Sequence, residues 1–477
     1  MSDERGDTIR DIPGLFGHDP APLRREGHLP FKYLAQVFAV GLTVTSCTPV
    51  SSPSPSPAAA AVTPAATSGT PVGLADKPIF VVQAPARHWY TVPDGLFVEG
   101  VPAAISFPVV DASRGRPRAR LRSTGRTVEL APSPGSSSAL GVMGPPVWAG
   151  AVPLDGATPG PQTIDYLVRM SDGADAVLWS STFVLSQPEY VVWTLDFEGD
   201  AASDDAMANA WAIGQASYIP MTIMWNPRVW TTTQVSRERA DAMQQWMTSI
   251  ANVGMAEIAL HVHMWTDFVR AAGVTPRTAP NWAGRSDGYD VPITAFSESE
   301  TRTLIDYSLK LMADHGLPRP TSFRAGGEFA NAANLRAAAA AGFTADCSAV
   351  PAGAFGRLPL PWTLPVDAQP YRPSPDDANA VGSLSLLEAP TIGGNTYAYD
   401  VRTIQPIIRA DVSYLAPTGE IATRRRAITI VSHPGTIDAT ERAAISALFD
   451  ALAPLRYDRD AGPLRFVTLA QLAQAWR

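Results

Sequence analysis

The chain has 477 residues, of which 45% are hydrophobic and 17% charged, and its formal net charge is −8. This composition is typical of an ordered globular protein and excludes an intrinsically disordered chain, which is poorer in apolar residues and richer in charge. An acidic chain without a basic stripe also argues against nucleic acid as a partner. With only two cysteines, the chain has no disulfide framework.

An apolar stretch near the N-terminus predicts export. Residues 33–46, YLAQVFAVGLTVTS, follow a basic flank and end directly before Cys47. The stretch is too short to span a bilayer as a helix and is typical of a secretory signal. The letters VTSC resemble the bacterial lipobox, although an ordinary signal peptide or a signal anchor with an incidental cysteine is the alternative. We therefore expect a leader over 1–47 and a secreted protein, held at the outer face of the cell membrane by a lipid on Cys47.

The next two segments are a predicted linker and a predicted β domain. Residues 48–76 are rich in Ser, Pro, Ala and Thr and cannot build a core, which is typical of an extended tether. Residues 77–189 contain about seven short apolar runs separated by turn residues, among them PIFVVQ, TVEL and TIDYLVRM. Such runs predict strands and an immunoglobulin-like sandwich. This segment contains no cluster of His, Asp and Glu that could form a site.

After residue 190, predicted strands and helices alternate. VVWTLDF, MTIMW, MAEIALHVH, TSFRAG, FTADCSAV and ITIVSH read as strands, and the segments between them read as helices. In SRERADAMQQWMTSIANVG the apolar residues repeat at three- and four-residue steps, and Ser236 is placed to cap the helix. Serial βα units build a parallel sheet or a β/α barrel, whose active site lies at the C-terminal ends of the strands.

Two histidines at such a strand end suggest a metal site. His261 and His263 are two residues apart, so both imidazoles project from the same face of a strand and can converge on one cation. A pair of hydrogen-bonded histidines is the alternative. The chain has only seven histidines, two of them in the leader, which makes two on one strand face more informative.

Carboxylates end the first strand of this region in the same two-residue relation. Of Asp196 and Glu198, one can bind a metal while the other stays free as a general base. Asp200 could replace Glu198 as the ligand, or could begin the following helix, where acidic residues are favoured. Acidic residues in such a loop can also be merely solvated or capping.

The order of the motifs resembles a known superfamily. TLDFEGD, IPMTIMW, EIALHVHMW, FRAGGE, GFTADCS, IVSHPGT and LRFVTLAQL follow one another as in the polysaccharide deacetylase superfamily, also called NodB-homology or carbohydrate esterase family 4. The resemblance covers residues 190–477. It implies an α/β fold with a distorted β/α barrel, an Asp-His-His metal site, a catalytic Asp, an Arg that orients that Asp and a late His that acts as an acid.

The resemblance assigns roles by position. Asp196 matches the catalytic base and Glu198 the metal-binding carboxylate, while His261 and His263 match the metal histidines. Arg324 matches the orienting arginine, and His433 the general acid. Three departures indicate a divergent branch: Asp-Phe-Glu replaces the adjacent Asp-Asp, the second histidine follows after two residues and not four, and the arginine motif lacks its proline.

The implied reaction is metal-dependent removal of acyl groups, most plausibly N-acetyl, from an envelope or extracellular polysaccharide. Two histidines and one carboxylate suit Zn²⁺, and Co²⁺ or Ni²⁺ fits the same ligands. Amidohydrolases also use HxH, but with a lysine and several later histidines that this chain does not supply. A catalytically inactive glycan-binding lipoprotein that keeps the fold is the alternative, and no protein partner is predicted.

Two further features of this region leave their roles open. Asp346, at a strand end, could touch the site or merely pair with a neighbour, and Cys347 beside it is expected to be a buried apolar residue. The irregular segment 351–400 is typical of a binding loop. Its Trp362, Tyr371 and Arg372 could line a sugar-binding cleft or serve as packing residues.

Overall fold

The computed structural model describes residues 81–83, 85–106, 116–133, 147–169, 172–281, 287–289, 291–352, 360–392 and 419–477. The predicted leader and linker, and with them Cys47, lie outside these residues. In the described part of the chain, no helix is long and apolar enough to cross a membrane.

The N-terminal part consists of two β-sheets. In chain order the strands are β1 (Val81–Gln83), β2 (Trp89–Thr91), β3 (Val101–Ser106), β4 (Arg118–Leu121), β5 (Thr127–Glu129), β6 (Ala131–Ser133), β7 (Val147–Val152), β8 (Gly160–Arg169) and β9 (Asp175–Ser186). One sheet has the order β1-β3-β7-β6 and the other β2-β9-β8-β4-β5. All pairs are antiparallel except β2 with β9. Side chains from both sheets share one apolar core. The immunoglobulin-like topology and the domain boundaries at 77–189 and 190–477 stay predictions.

Strand β4 was not predicted, because the predicted strands were found as runs of hydrophobic residues. Ala119 and Leu121 are fully buried, but the residues that alternate with them are arginines. Arg120 forms an ion pair of 3.0 Å with Asp165 on strand β8. The alternation expected of a half-buried strand is therefore present, with charge pairs on its outer face.

The C-terminal part is a parallel α/β assembly. Its strands are β10 (Glu189–Asp196), β11 (Met221–Trp225), β12 (Ala256–Val262), β13 (Ser322–Ala325), β14 (Ala345–Asp346), β15 (Leu387–Glu388), β16 (Arg426–Ser432) and β17 (Leu464–Val467). Its helices are α1 (Asp204–Ser217), α2 (Arg237–Asn252), α3 (Thr266–Ala271), α4 (Glu298–Asp314), α5 (Ala332–Ala340), α6 (Ala439–Ala451) and α7 (Leu469–Ala475). Short 3-10 helices cover Pro227–Trp230, Ile293–Ala295, Gly326–Glu328, Ala453–Leu455 and Tyr457–Arg459.

The eight strands form one parallel sheet in the order β15-β14-β13-β12-β11-β10-β16, with β17 also paired to β10. Every residue of β10 and β11 is buried, as expected for strands covered on both faces. The predicted mixed α/β class is confirmed. Within the described residues, however, no pairing joins β15 to β16 or β17, so the sheet is open at that side and the barrel is not closed by hydrogen bonds.

The helices follow their predicted signals. Ser236 caps α2 by accepting a hydrogen bond from the Arg239 amide, as predicted.

One predicted strand is much shorter than expected: of the segment FTADCSAV, only Ala345–Asp346 forms a strand. The Asp346 carboxylate accepts a hydrogen bond from the Ser348 amide, which ends the extended pairing after two residues.

Helix α2 offers a direct test of the core. Ile250 is 2% exposed in the main apolar cluster, whereas Val253, just past the helix end, is 66% exposed. We expect Ile250→Ala to lower the free energy of unfolding by about 2–5 kcal/mol, because it removes buried apolar volume. Val253→Ala is the matched control and should change it by less than about 0.5 kcal/mol. Urea denaturation measures both, and equal effects would contradict the packing of α2.

Candidate metal centre

The six residues predicted for the site meet at the C-terminal edge of the parallel sheet. Asp196 ends β10 and Glu198 follows it, whereas the others come from or directly after β12, β13 and β16: His261, His263, Arg324 and His433. Because all these strands run the same way, their C-terminal ends lie along one edge. The sheet therefore brings together residues that are up to 237 positions apart in the sequence, from Asp196 to His433 (433 − 196 = 237).

Glu198 is the centre of this group. Its Oε2 lies 2.6 Å from His263 Nε2, and its Oε1 lies 3.1 Å from His433 Nε2 and 3.7 Å from His261 Nε2. Burial alone would raise the pKa of Glu198, but the charge of His263 and the three imidazoles hold this pKa well below its ordinary value. The carboxylate is thus an anion surrounded by nitrogen donors.

The backbone around Glu198 is fixed by buried side chains. Its carbonyl accepts hydrogen bonds from Trp265 Nε1 at 2.8 Å and from Asn226 Nδ2 at 3.1 Å. Between the two carboxylates, Phe197 packs in the core against Trp225. The Asp-Phe-Glu spacing therefore buries the intervening aromatic ring while both carboxylates reach the site.

The imidazole of His261 is oriented by a hydrogen bond to the backbone. Its Nδ1 donates a hydrogen bond to the Arg324 carbonyl at 3.1 Å, which places the ring proton on Nδ1. Its Nε2 is buried, has no hydrogen-bond partner among the described residues, and lies 3.7 Å from Glu198 Oε1 and 3.9 Å from Asp196 Oδ2. An imidazole whose Nδ1 is oriented by a backbone carbonyl presents its Nε2 in the way that is usual for a ligating histidine.

His263 is held between Tyr289 and Gly326. The Tyr289 ring stacks on the imidazole at 4.3 Å with an angle of 9° between the planes. Gly326 directly follows β13, and a Cβ atom on this residue would come within 2.5 Å of the His263 ring. The glycine that follows Arg-Ala in this chain is thus required by the close approach of the imidazole.

Tyr289 is a site residue that the sequence did not single out. Its hydroxyl donates a hydrogen bond to Glu198 Oε2, the same oxygen that contacts His263. It follows Asp287 and Gly288 in a segment without periodicity, so the sequence offered no signal beyond a tyrosine after the HxH strand.

A buried ion pair lies beside Glu198. Arg324 Nη1 donates to Asp196 Oδ1 at 2.9 Å and Oδ2 at 3.1 Å, and to Thr194 Oγ1 at 2.7 Å. Arg324 is fully buried and Asp196 nearly so. Burial would lower the pKa of Arg324, but the charge of Asp196 raises it overall, so the guanidinium stays charged and compensates the carboxylate.

Two sets of residues have ligand atoms close enough to hold a cation. One is Glu198, His261 and His263, and the other is Asp196, Glu198 and His433. Both oxygens of Asp196 already accept hydrogen bonds from Arg324, whereas His261 Nε2 has no hydrogen-bond partner among the described residues, so the first set fits a cation better. Asp200 belongs to neither set and its side chain is exposed. The sequence had left Glu198 and Asp200 as alternatives, and the geometry favours Glu198.

Glu328 is a second site residue that the sequence missed. It closes the turn after β13 with φ 59°, an unusual conformation for a residue with a side chain, and is 7% exposed. Burial, with the charges of Asp196 and Glu198, raises its pKa to about 7 against the opposing effect of Arg324. The glutamate at the end of FRAGGE was visible in the sequence, but its inward placement depends on the turn.

The residues considered for a cleft in 351–400 make internal contacts. Trp362 is buried and donates from Nε1 to the Glu328 carbonyl at 2.6 Å. The hydroxyl of Tyr371 donates to the Ala378 carbonyl at 2.5 Å. Arg372 donates to a backbone carbonyl at 3.4 Å. These contacts favour the packing interpretation of the three side chains.

No protein-family model and no curated protein matches the sequence. Solved structures similar to the chain include a Mycobacterium smegmatis protein named as a polysaccharide deacetylase, with 14% identity, a TM-score of 0.38, and coverage of 60% of this chain and 89% of that one. A family 4 carbohydrate esterase from Streptomyces lividans, in complex with acetate, has 14% identity, a TM-score of 0.30 and coverage of 56% and 89%. A 4-alpha-glucanotransferase from Thermococcus litoralis has 10% identity, a TM-score of 0.34 and coverage of 60% and 38%.

The first two of these belong to the superfamily that the motif order resembles, and the third carries a different activity. Likeness at this level says nothing about the reaction of this chain, because one fold hosts many functions. The chemistry has to be inferred from the side chains of the site.

The Asp196–Arg324 pair can be tested by unfolding. Arg324→Met should lower the free energy of unfolding by about 3–5 kcal/mol, because it leaves Asp196 buried without its counter-charge. The double variant with Asp196→Asn should be destabilised less than the sum of the two single variants. Arg302→Met, in an exposed pair with Asp306, is the control and should have no measurable effect. Additive effects of the two site substitutions would show that the pair is not coupled.

Proposed function

We propose that the protein is a metal-dependent hydrolase that removes acyl groups, in particular N-acetyl groups, from an envelope or extracellular polysaccharide. The observation that carries the proposal is the meeting of the buried Nε2 atoms of His261 and His263 at the Glu198 carboxylate, beside an Asp196 that Arg324 holds in place. Secretion and a lipid anchor on Cys47 belong to the same proposal and are supported by the sequence pattern alone.

A divalent cation fits the first ligand set. Glu198, His261 and His263 provide one oxygen and two nitrogens, a donor set that suits Zn²⁺. When bound, such a cation supplies Lewis acidity to an acyl carbonyl and acidifies water beside it. Tyr289 orients the carboxylate through its hydrogen bond, and the Arg324 carbonyl orients His261.

The remaining site residues handle protons. Asp196, compensated by Arg324, keeps lone pairs that can accept a proton from the attacking water. On the other side of Glu198, His433 can donate to the leaving amine. Burial lowers the pKa of His433, but its hydrogen bond to Glu198 and the nearby carboxylates raise it overall, which favours the protonated form.

The alternative function is glycan binding without catalysis. It shares the fold and the polysaccharide partner, but does not need Asp196 beside a metal site. Metal content and turnover therefore separate the two functions.

Metal binding should depend on Glu198 and not on Asp200. We expect the metal-free protein to bind one Zn²⁺ per chain in isothermal titration calorimetry, with weaker binding at lower pH because the ligands must lose protons. Glu198→Gln should abolish this binding, because the amide removes the charge at the centre of the donor set. Asp200→Asn is the matched control and should bind normally. Wild-type protein that takes up no Zn²⁺ would defeat the proposal.

Asp196 should be required for turnover and not for metal binding. We expect Asp196→Asn to reduce acetate release from a panel of N- and O-acetylated glycans by about 100-fold or more, the usual contribution of a general base. The exposed Asp306→Asn should release acetate at the wild-type rate. Equal release by Asp196→Asn and the wild type would remove Asp196 as the base, and no release by any of the proteins would favour the binding function.

A further inference from the structure

Two buried carboxyl groups lie next to the site but take no part in the proposed reaction. Asp346 ends β14 and Glu388 ends β15, and the two residues are direct partners in the parallel register of these strands. Both are fully buried. Two negative charges in contact inside a protein core would be strongly unfavourable.

The hydrogen bonds of the pair show where a proton is needed. Asp346 Oδ1 accepts from the Ser348 amide at 2.8 Å, and Glu388 Oε1 accepts from the Ala349 amide at 2.9 Å. Asp346 Oδ2 and Glu388 Oε2 are buried and have no hydrogen-bond partner among the described residues. Because the two residues are direct partners across β14 and β15, one proton held between these two oxygens would satisfy both of them. Ionised carboxylates only accept hydrogen bonds, so such a bond requires that one of the two groups is protonated.

We propose that Asp346 and Glu388 hold one proton between them, and that this protonated pair positions Arg324. The second half rests on the proposed function, in which Arg324 holds Asp196. The first half stands on the geometry of the pair.

The link to Arg324 runs through the residues that follow each carboxyl group. Directly after Asp346, the Cys347 carbonyl accepts from Arg324 Nε at 3.0 Å. Three residues after Glu388, Thr391 Oγ1 accepts from Arg324 Nη2 at 3.0 Å. The Thr391 amide also donates to the Ala349 carbonyl at 2.7 Å. The segments joined by the pair therefore supply two of the acceptors that hold the guanidinium.

The charged and titratable groups around the pair come from several elements. Arg324 on β13 lowers the pKa of both carboxyl groups, and the Asp196 carboxylate on β10 compensates this arginine. Burial raises the pKa of Cys347 and that of Tyr371, and the negative charges of the pair raise both further. Burial dominates for the carboxyl groups too: it raises the pKa of Asp346 and raises that of Glu388 well above its ordinary value.

These shifts fix the sign of the pH dependence. In the unfolded chain both carboxyl groups lose their protons near pH 4, whereas the native pair keeps one. The native state therefore binds more protons above that pH, and stability falls as pH rises from about 4 toward the raised pKa of the pair. Beyond that pKa, two charges repel each other on strands of two residues each, and the acceptors of Arg324 lose their support.

Infrared difference spectroscopy of the full chain tests the shared proton without substrate or metal. The wild-type protein should show the C=O stretch of a protonated carboxyl group at and above neutral pH. Glu388→Gln should lose this band, because its amide donates to an ionised Asp346 without a titrating proton. Glu328→Gln is the control, since it removes its own carboxyl group and should leave the band of the pair. Absence of the band from the wild-type protein would mean that both carboxyl groups are ionised, and would overturn the proposal. A loss of stability when a chelator is added would mean that a bound cation, and not a proton, holds the pair together, and would overturn it too.

The positioning of Arg324 is tested by the pH profile of acetate release. Glu388→Ala should lower kcat/KM by about 100-fold, because small displacements of a catalytic group are costly. Glu388→Gln should restore most of this activity and move the alkaline limit of activity up by about one pH unit or more, since its donor does not titrate. An unchanged alkaline limit, with the infrared band present, would overturn the positioning role alone. A band with no acetate release from any protein would instead reject the proposed hydrolase and leave the shared proton intact.

Discussion

One fully buried guanidinium connects the strand ends at the C-terminal edge of the parallel sheet. Arg324 donates to Asp196 and Thr194 on β10, to the Cys347 carbonyl after β14 and to Thr391 after β15. Its own carbonyl meanwhile accepts from His261 on β12. A planar group with fixed donor directions can satisfy these partners at once, which a lysine could not do. The position of the proposed base and the tautomer of the proposed ligand therefore depend on the same residue.

The parallel register explains how this arrangement arises. His261 and Arg324 are direct partners on β12 and β13, so the contact between imidazole and carbonyl follows from strand pairing. Thr194 and Asp196 are two residues apart on β10 and face the same side, which lets a single Nη1 reach both. The polar residues of the site therefore follow the same alternation of side-chain direction along each strand that places the apolar residues in the core.

Sequence patterns predicted the strands and helices that have clear periodicity, and they singled out six polar residues at strand ends. The structure brings these six residues together because a parallel sheet places every strand end at one edge, whatever the loops do. Sequence patterns failed for β4, whose alternating arginines hid a half-buried strand, and they left Asp346 undecided. Tyr289, Glu328 and Glu388 were missed for another reason: loop geometry or the pairing of two-residue strands brings them in, and neither leaves a periodic signal.

The same edge must accommodate five buried or half-buried carboxyl groups with one arginine among them: Asp196, Glu198, Glu328, Asp346 and Glu388. The cost of burying a negative charge is reduced differently at these groups. Arg324 compensates Asp196, three imidazoles surround Glu198, and burial brings the pKa of Glu328 to about 7. Burial also raises the pKa of Asp346 and that of Glu388.

Of these five carboxyl groups, Glu198 has three imidazole nitrogens within 3.7 Å of its oxygens, and imidazoles are groups that can bind a cation. The other four acidic groups are already balanced by a guanidinium or by a raised pKa. Additional positive charge at this edge is therefore accommodated best at Glu198. The distribution of charge, and not the number of acidic residues, places the candidate metal centre there.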